Sequence, residues 1–481
     1  MIVEKQIIFS IALFTPFVSF LLSFTRMWRL FSVLGTLISF IVSIPLLKGP
    51  VKKTITLSET VGFKINLLSD GLSSLMIFLT TFLTFLVVIH ALGEDRERKK
   101  EYVLCYLFLE GVLVWAFSTT NLLGFYFFFD AMLIPMFIII GVWGSGRRVY
   151  SAFKFAIFTF SGSIFFLVAV VYLGFEHYQN FALLSFDIEN IRKVIPLIPE
   201  RISFLLFLAF LLAFFVKVPI VPLHVWLPDA HTEAPTGGSV ILAGVLLKLG
   251  SYAFLRFAIP LFPQFIIEHW MELSILAVVS IIFGAFLALS QKDMKRLIAY
   301  SSVSHMGYVM LGMFVLNKGI LTVEGLSGAI LQMINHGLAT GMLFFIIGML
   351  YSRKHTRLIS DYGGIAPYIP YLTFFFFVSA LSSIGFPSTG GFVGELLIIL
   401  GALKGYKLFG VLCATGVILS AGYLLWAGGR MFFGPVKEKN RDITDIKLYE
   451  FVVLLPITIL IFWIGIYPKT FLDIIGGFIK G

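Results

Sequence analysis

Four ionisable residues stand where an apolar chain has least use for charge. Lys217 lies in FLLAFFVKVPIVPLH, Lys248 in SVILAGVLLKLGSYAF, Asp130 in FYFFFDAMLIP and Glu395 in GGFVGELLIIL. A charge near a bilayer midplane costs roughly 2.5–3.5 kcal/mol on insertion scales, so such residues mark ion pathways. Amines and carboxylates together could load, pass and release protons. A carboxylate about 8 Å from an amine attracts it by roughly 2 kcal/mol at an effective dielectric near 20. Moving that partner away is enough to unload a proton. Lys217 is the best-placed carrier, because apolar residues on both sides leave its amine little room to snorkel to an interface.

Two histidines extend the series. His305 in SSVSHMGYVM and His336 in LQMINHGLATG lie on successive apolar segments. Imidazole passes protons in either direction near neutral pH, although a membrane histidine also serves simply to hydrogen-bond one helix to the next. Ser301, Ser304 and Asn335 would hold water there. Lys248 either relays protons from Lys217 towards the histidines or bonds carbonyls freed by a broken helix. Glu395 is the expected exit group. Glu110 in LFLEGVLVW could join the Asp130 cluster. Lys154 in SAFKFAIFTF, one turn inside its span, either snorkels or belongs to the series.

The elements that position these groups are membrane spans. Hydrophobic residues make up 59% of 481 and charged residues only 13%, against about 25% charged in globular domains. Runs of about 20 apolar residues give fourteen spans, centred near residues 15, 38, 81, 111, 133, 161, 213, 247, 280, 307, 338, 384, 418 and 457. The fold expected is all-α and polytopic. The net charge of +10 sits in short loops, which is the positive-inside pattern rather than a nucleic-acid surface. Loops after odd-numbered spans hold 19 of the 36 Lys and Arg, and the other face holds 13. That bias makes the first face cytoplasmic and puts both termini outside. MIVEKQ followed by IIFSIALFTPFVSFLLSF lacks a basic start and a small-residue cleavage site, so it reads as a retained first span. The polar connection from Phe175 to Arg201 is expected to lie on the surface as an amphipathic helix.

Cys105 and Cys413 fall inside apolar segments and suggest neither a disulfide framework nor a metal site. His224 and His231 match no zinc spacing. Two stretches, VKVPIVPLHVWLPDAHTEAPTGGS and SSIGFPSTGGFVGE, interrupt helices with Pro and Gly beside a lysine or an acid. Paired interruptions of this kind are the signature of an inverted-repeat transporter. Interrupted backbone is tolerated at that depth only where protein or water satisfies it.

These residues carry a resemblance. FYFFFDAMLIPMFIIIGVWG, VKVPIVPLHVWLPDAHTEAPTGGSVILAGVLLKLGSYAFLRF, QKDMKRLIAYSSVSHMGYV, MINHGLA and GGFVGE together resemble the antiporter-like membrane subunits of complex I, the respiratory NADH:quinone oxidoreductase. The likeness covers essentially the whole chain. It implies about fourteen helices with two inverted five-helix repeats, each holding a broken helix. On this chain that gives an N-terminal segment 1–101, repeats 102–260 and 261–435, and a C-terminal helix 436–481. It implies proton translocation through Lys217 of the first broken helix, Lys248, His305 and His336, and Glu395 of the second, driven by electron transfer elsewhere.

Flavin, iron–sulfur clusters and quinone are expected in other subunits, with no cofactor in this chain, which has no nucleotide fingerprint and no cysteine ligands. The family's L and N branches carry lysine at the position of Glu395, which separates this chain from them; they are its expected neighbours, with the lipid bilayer and protons as its other partners and no nucleic acid. A bacterial or archaeal cytoplasmic membrane is the implied location. The family has glutamate where this chain has Asp130, so the shorter carboxylate reaches less far towards Lys217. Asn121 stands where relatives often carry an acid. The alternative assemblies that share these motifs are a multisubunit Na⁺/H⁺ antiporter and a membrane-bound hydrogenase.

Overall fold

The computed structural model describes residues 2–58 and 63–480; Met1, Gly481 and residues 59–62, within the expected segments 1–101 and 436–481, lie outside the described residues. Helices dominate. The chain opens with α1 (Ile2–Leu22) and α2 (Trp28–Leu46), continues through a β-hairpin of β1 (Val51–Ser58) and β2 (Phe63–Ser69), and returns through α3 (Gly71–Gly93) and α4 (Lys99–Ala116). Next come α5 (Leu122–Ala131) and α6 (Leu133–Trp143), the long α7 (Arg148–Phe181), the short α8 (Ile188–Val194), then α9 (Glu200–Lys217) and α10 (Leu227–Glu233). The helical run α11 (Thr236–Leu261) follows. After it stand α12 (Pro263–Glu268), α13 (Trp270–Leu289), α14 (Met294–Phe314) and α15 (Val323–Lys354). The last elements are α16 (Pro370–Ile384), α17 (Gly390–Gly405), α18 (Lys407–Phe432), α19 (Leu448–Ile466) and α20 (Lys469–Lys480).

Among the described residues, eleven helices are long and apolar enough to cross a membrane, and the chain is an integral membrane protein. Every one of the fourteen span centres read from the sequence falls inside a helix. Three of those centres lie on helices outside the eleven: α4, α9 and the shorter α16. Burial sorts the spans. α11 is 100% buried and α14 and α15 are 94% buried over their apolar windows, whereas α1 and α2 are 28% and 33% buried. The three helices that carry Lys248, His305 and His336 are therefore the interior of the bundle, wrapped by the others.

Two features differ from the all-α expectation. The hairpin pairs Val51 with Ser69 through Ile55 with Ile65, and a two-residue hairpin joins Leu316–Asn317 to Ile320–Leu321. Strand pairing depends on partners distant in sequence, which apolar run-length does not register. The connection after Phe175 also differs: α7 stays helical to Phe181, Ile188–Val194 forms a short separate helix that runs into a 3-10 turn, Ile195–Leu197, and α9 begins at Glu200. The N-cap of α8, Asp187, accepts from Glu189 N at 3.1 Å and also from Asn66 Nδ2 and Thr120 Oγ1, both at 2.9 Å. One carboxylate thus pins the hairpin, the α4–α5 turn and α8 together.

Candidate functional site

The first break begins at Lys217, the last residue of α9. Pro219 and Pro222 carry no backbone N–H and cannot continue a helix, so residues 218–226 run irregularly to α10. The backbone groups freed there find partners. Trp226 Nε1 donates to Val216 O at 2.9 Å, and Val221 N donates to Ser280 Oγ on α13 at 3.0 Å. The second break ends α16 at Gly385, whose φ of +77° suits a residue without Cβ. Its N–H donates to Ser382 O at 3.2 Å, and Phe386 N donates to Leu381 O at 3.0 Å. Asn335 Nδ2 on α15 donates to Gly390 O at 2.6 Å, holding the first residue of α17 in place.

Lys217 is 2% exposed. Its amine lies 4.4 Å from the centroid of the Phe129 ring and donates to Phe129 O at 3.5 Å. Asp130, the next residue, is within electrostatic reach of that amine, but among the described residues the two form no direct ion pair. The aspartate is held from the other side, its Oδ2 accepting from Ser163 Oγ on α7 at 2.8 Å. Lys217 also packs against α11: a Cβ on Gly250 would sit 3.1 Å from that of Lys217. Gly250 is two residues from Lys248.

From Lys248 onward the groups touch in sequence. Its fully buried amine donates to Ala243 O on its own helix and lies 2.6 Å from His336 Nδ1 on α15. The ring centroids of His336 and His305 are 5.6 Å apart. His305 Nδ1 lies 3.2 Å from Glu395 Oε1 on α17, and Gln332 Nε2 donates to the same oxygen at 3.0 Å. A cavity of about 10 Å³ sits among His305, Gln332, Asn335, His336, Thr340, Ser382 and Ser383. Buried polar atoms without a protein partner face this region, including Nε2 of both histidines, Asn335 Oδ1 and Glu395 Oε2. A polar space of that size accommodates about one water. The pair Lys248–His336 shares one proton in either direction: an ammonium donates to a neutral ring, or an imidazolium donates to a neutral amine.

The remaining sequence-predicted residues lie elsewhere. Glu110 is fully buried on α4 beside Ser39 of α2, away from Asp130. Lys154 pairs with Asp229 of α10 at 2.6 Å, and Arg296 stands 3.5 Å from the other oxygen of that aspartate. Ser301 and Ser304 donate to Ile298 O and Ile281 O, so Asn335 alone of the three lines the cavity.

Two basic residues stand near the site that the sequence did not assign to it. His231, fully buried, stacks on Phe344 with rings 4.7 Å apart and 2° from parallel, and both its ring nitrogens lack a protein partner. Lys295 looks like a loop charge in QKDMKRL, yet its amine runs inward to Ala234 O. It ends a cavity of about 640 Å³ lined also by Glu94, Arg96, Glu233, Arg353 and Arg357. This cavity opens among the basic loops. Burial pushes the Glu94 carboxyl up, but His90 and Arg96 beside it outweigh that and hold it below the ordinary range. Nothing in the spacing of His231 or Lys295 signalled an inward side chain.

Known proteins share this architecture. A family profile described as "NADH:quinone oxidoreductase/Mrp antiporter, TM" matches residues 119–420. NADH-quinone oxidoreductase subunit M of Rickettsia prowazekii is 43% identical over 86% of this chain and 83% of its own length. The subunit of the same name from Rhodobacter capsulatus is 41% identical over 92% of this chain and 88% of its own length. NADH-ubiquinone oxidoreductase chain 4 of Marchantia polymorpha is 41% identical over 84% and 79%.

A chain of the solved structure "Respiratory complex I from Thermus thermophilus with bound NADH" superposes with a TM-score of 0.88 at 32% identity, covering 98% of this chain and 99% of its own. A chain of the Mrp complex from Dietzia sp. DQ12-45-1b has the same fold, with a TM-score of 0.84 at 19% identity over 99% of this chain and 97% of its own. The matched profile and the full-length relatives place this chain in the family of transmembrane NADH:quinone oxidoreductase and Mrp antiporter proteins.

Proposed function

We propose that the chain is a proton-translocating membrane subunit of a respiratory NADH:quinone oxidoreductase. It performs no redox step itself; electron transfer in other subunits drives changes of protonation here. Protons are held in turn by Lys217, Lys248, His336, His305 and Glu395, with Asp130 tuning the Lys217 amine across the α5–α9 contact. The carrying observation is the buried succession Lys248, His336, His305, Glu395, two hydrogen-bonded pairs with their histidine rings 5.6 Å apart, running from α11 to the second broken helix. Full-length similarity to subunits bearing that name supports the reading.

The same reading assigns fourteen spans and two inverted five-helix repeats, 102–260 and 261–435, between an N-terminal segment 1–101 and a C-terminal helix 436–481. Antiporter-like subunits L and N are its neighbours in the membrane arm, and flavin, iron–sulfur clusters and quinone belong to other subunits. The basic face carrying the 640 Å³ cavity is cytoplasmic, with both termini on the outer side of a bacterial or archaeal cytoplasmic membrane. Protons enter from that cavity past Lys295 and His231.

The test is proton uptake by the assembled complex in liposomes during NADH oxidation. Lys217→Ala and Lys248→Ala complexes are expected to lose most proton translocation. Undiminished translocation in assembled complexes would refute the reading.

A further inference from the structure

Arg256, the second charge of α11, has no part in the series above. It lies eight residues after Lys248 with Tyr252 midway, so the three share one helix face and Arg256 is about 12 Å further along the axis. It sits in a widened π-helical turn, Phe254–Ala258, a departure from regular helix that recurs at functional positions. Its side chain is 9% exposed. Nη2 donates to Asp70 Oδ1 at 2.6 Å and to Ser73 Oγ at 3.1 Å, and Nε donates to Tyr252 Oη at 3.3 Å. Tyr252 in turn donates to Phe117 O at 2.8 Å. Asp70 is itself fixed, because it caps α3 by accepting from Ser73 N at 3.0 Å. Beyond Arg256 lies a cavity of about 440 Å³ lined by Lys52, Asn66, Asp187, Arg192 and Phe478 among others. It lies among the β-hairpin, α8 and the C-terminal ends of α11 and α20, at the end of α3 opposite the 640 Å³ cavity.

The Lys248 amine turns to His336 and Ala243 O, while Tyr252 and then Arg256 stand on the same helix face between it and the outer cavity, with the guanidinium at the cavity wall. Lysine and histidine can carry a proton because they can lose one; arginine cannot at any working pH. A fixed cation in a narrow polar passage raises the energy of every further positive charge that approaches it, the device by which an arginine excludes protons and cations from a pore. Asp70 makes burial of that cation tolerable and anchors it to the start of α3, so it does not swing aside.

We propose that Arg256, held by Asp70, Ser73 and Tyr252, is an electrostatic stopper that prevents protons on Lys248 from escaping to the outer cavity and leaves His336 as their only forward partner. The proposal rests on the proton-path reading and adds a residue that makes the path directional. Arg256 is a positioning residue for charge, touching no transferred proton.

The experiment measures passive proton leak of the assembled complex in liposomes, without NADH, beside its electron-transfer rate. Arg256→Gln is expected to raise the leak on the order of tenfold while electron transfer continues, and Arg256→Lys, whose amine keeps a positive charge there but can give up its proton, is expected to leak less than Arg256→Gln and more than the parent. Adding Lys248→Ala to Arg256→Gln is expected to abolish the extra leak, because the route passes through Lys248. A parental leak in Arg256→Gln, or an extra leak that persists without Lys248, overturns the proposal. Should Arg256→Gln fail to assemble, Ser73→Ala combined with Tyr252→Phe removes two of the three groups that fix the guanidinium; a raised leak is expected, and a parental one overturns the proposal. Normal pumping by Lys217→Ala and Lys248→Ala sinks the path itself. Loss of pumping in those variants with a tight Arg256→Gln complex sinks the stopper alone.

Discussion

Lys248 and His336, 88 residues apart in sequence, share a hydrogen bond of 2.6 Å at the centre of the bundle. The amine is fully buried and the ring 3% exposed, so each is the other's only titratable partner within bonding distance among the described residues. A hydrogen bond to a charged group contributes about 1.5–3 kcal/mol, and an orphaned buried partner costs as much again.

His336→Gln keeps a carbonyl oxygen that accepts from Lys248 but cannot take up its proton. The expected outcome is an assembled complex with unchanged cofactor content and proton translocation reduced on the order of a hundredfold or more. Proton-to-electron ratios in liposomes check this; a ratio equal to the parent would mean the ring merely ties α11 to α15.

At Asp130 the carboxylate is held by Ser163 and stands off from Lys217. Asp130→Asn keeps the Ser163 contact and removes the charge that attracts the Lys217 proton; for charges about 8 Å apart at an effective dielectric near 20 such an attraction is worth roughly 2 kcal/mol. Translocation is expected to fall roughly tenfold or more. Asp130→Glu restores the charge with a longer reach and is expected to retain translocation near the parental value. Measuring all three complexes at one pH separates charge from shape: parental translocation in Asn with a loss in Glu would show that only the fit against Ser163 matters.

The chemistry-bearing positions were legible because charge inside an apolar run is rare, and the breaks were legible because Pro219, Pro222, Gly385 and Gly391 punctuate helices by their covalent structure. Contacts were not. A helix exposes its rotation only through packing, so nothing in LQMINHGLATG says that His336 faces Lys248 while Asn335 turns to Gly390. Lys154 and Lys295 show the same limit in opposite senses. Lys154, inside a span, reaches Asp229 near the helix end; Lys295, beside a loop, reaches inward to Ala234. The hairpin at 51–69 escaped notice because its strands are half polar and are defined by pairing with each other, which apolar run-length does not register.

Lys154 is therefore expected to matter for the bundle rather than for the protons. Its side chain is 22% exposed and that of Asp229 12%, so the pair is only partly desolvated and Lys154→Met is expected to cost about 1 kcal/mol or less. The complex should lose a little thermal stability, with its proton-to-electron ratio unchanged. A lowered ratio at normal stability would return Lys154 to the series.

The second broken helix offers the sharpest packing test. A Cβ on Gly391 would lie 1.8 Å from Ser382 O, a backbone atom that cannot move without shifting the end of α16. Ser382 and Ser383 line the small cavity beside His305 and His336, so the same shift would disturb the line of proton-holding groups. Overpacking of this kind costs typically about 1–3 kcal/mol, occasionally more. Gly391→Ala is expected to lower the thermal midpoint of the assembled complex and to reduce translocation together, whereas Gly422→Ala on α18, where a Cβ meets nothing within 4 Å, is expected to change neither. Melting curves and proton-to-electron ratios on the two variants give the comparison. Parental stability and pumping in Gly391→Ala would mean that the close approach of α16 and α17 does not hold Glu395 in register with His305.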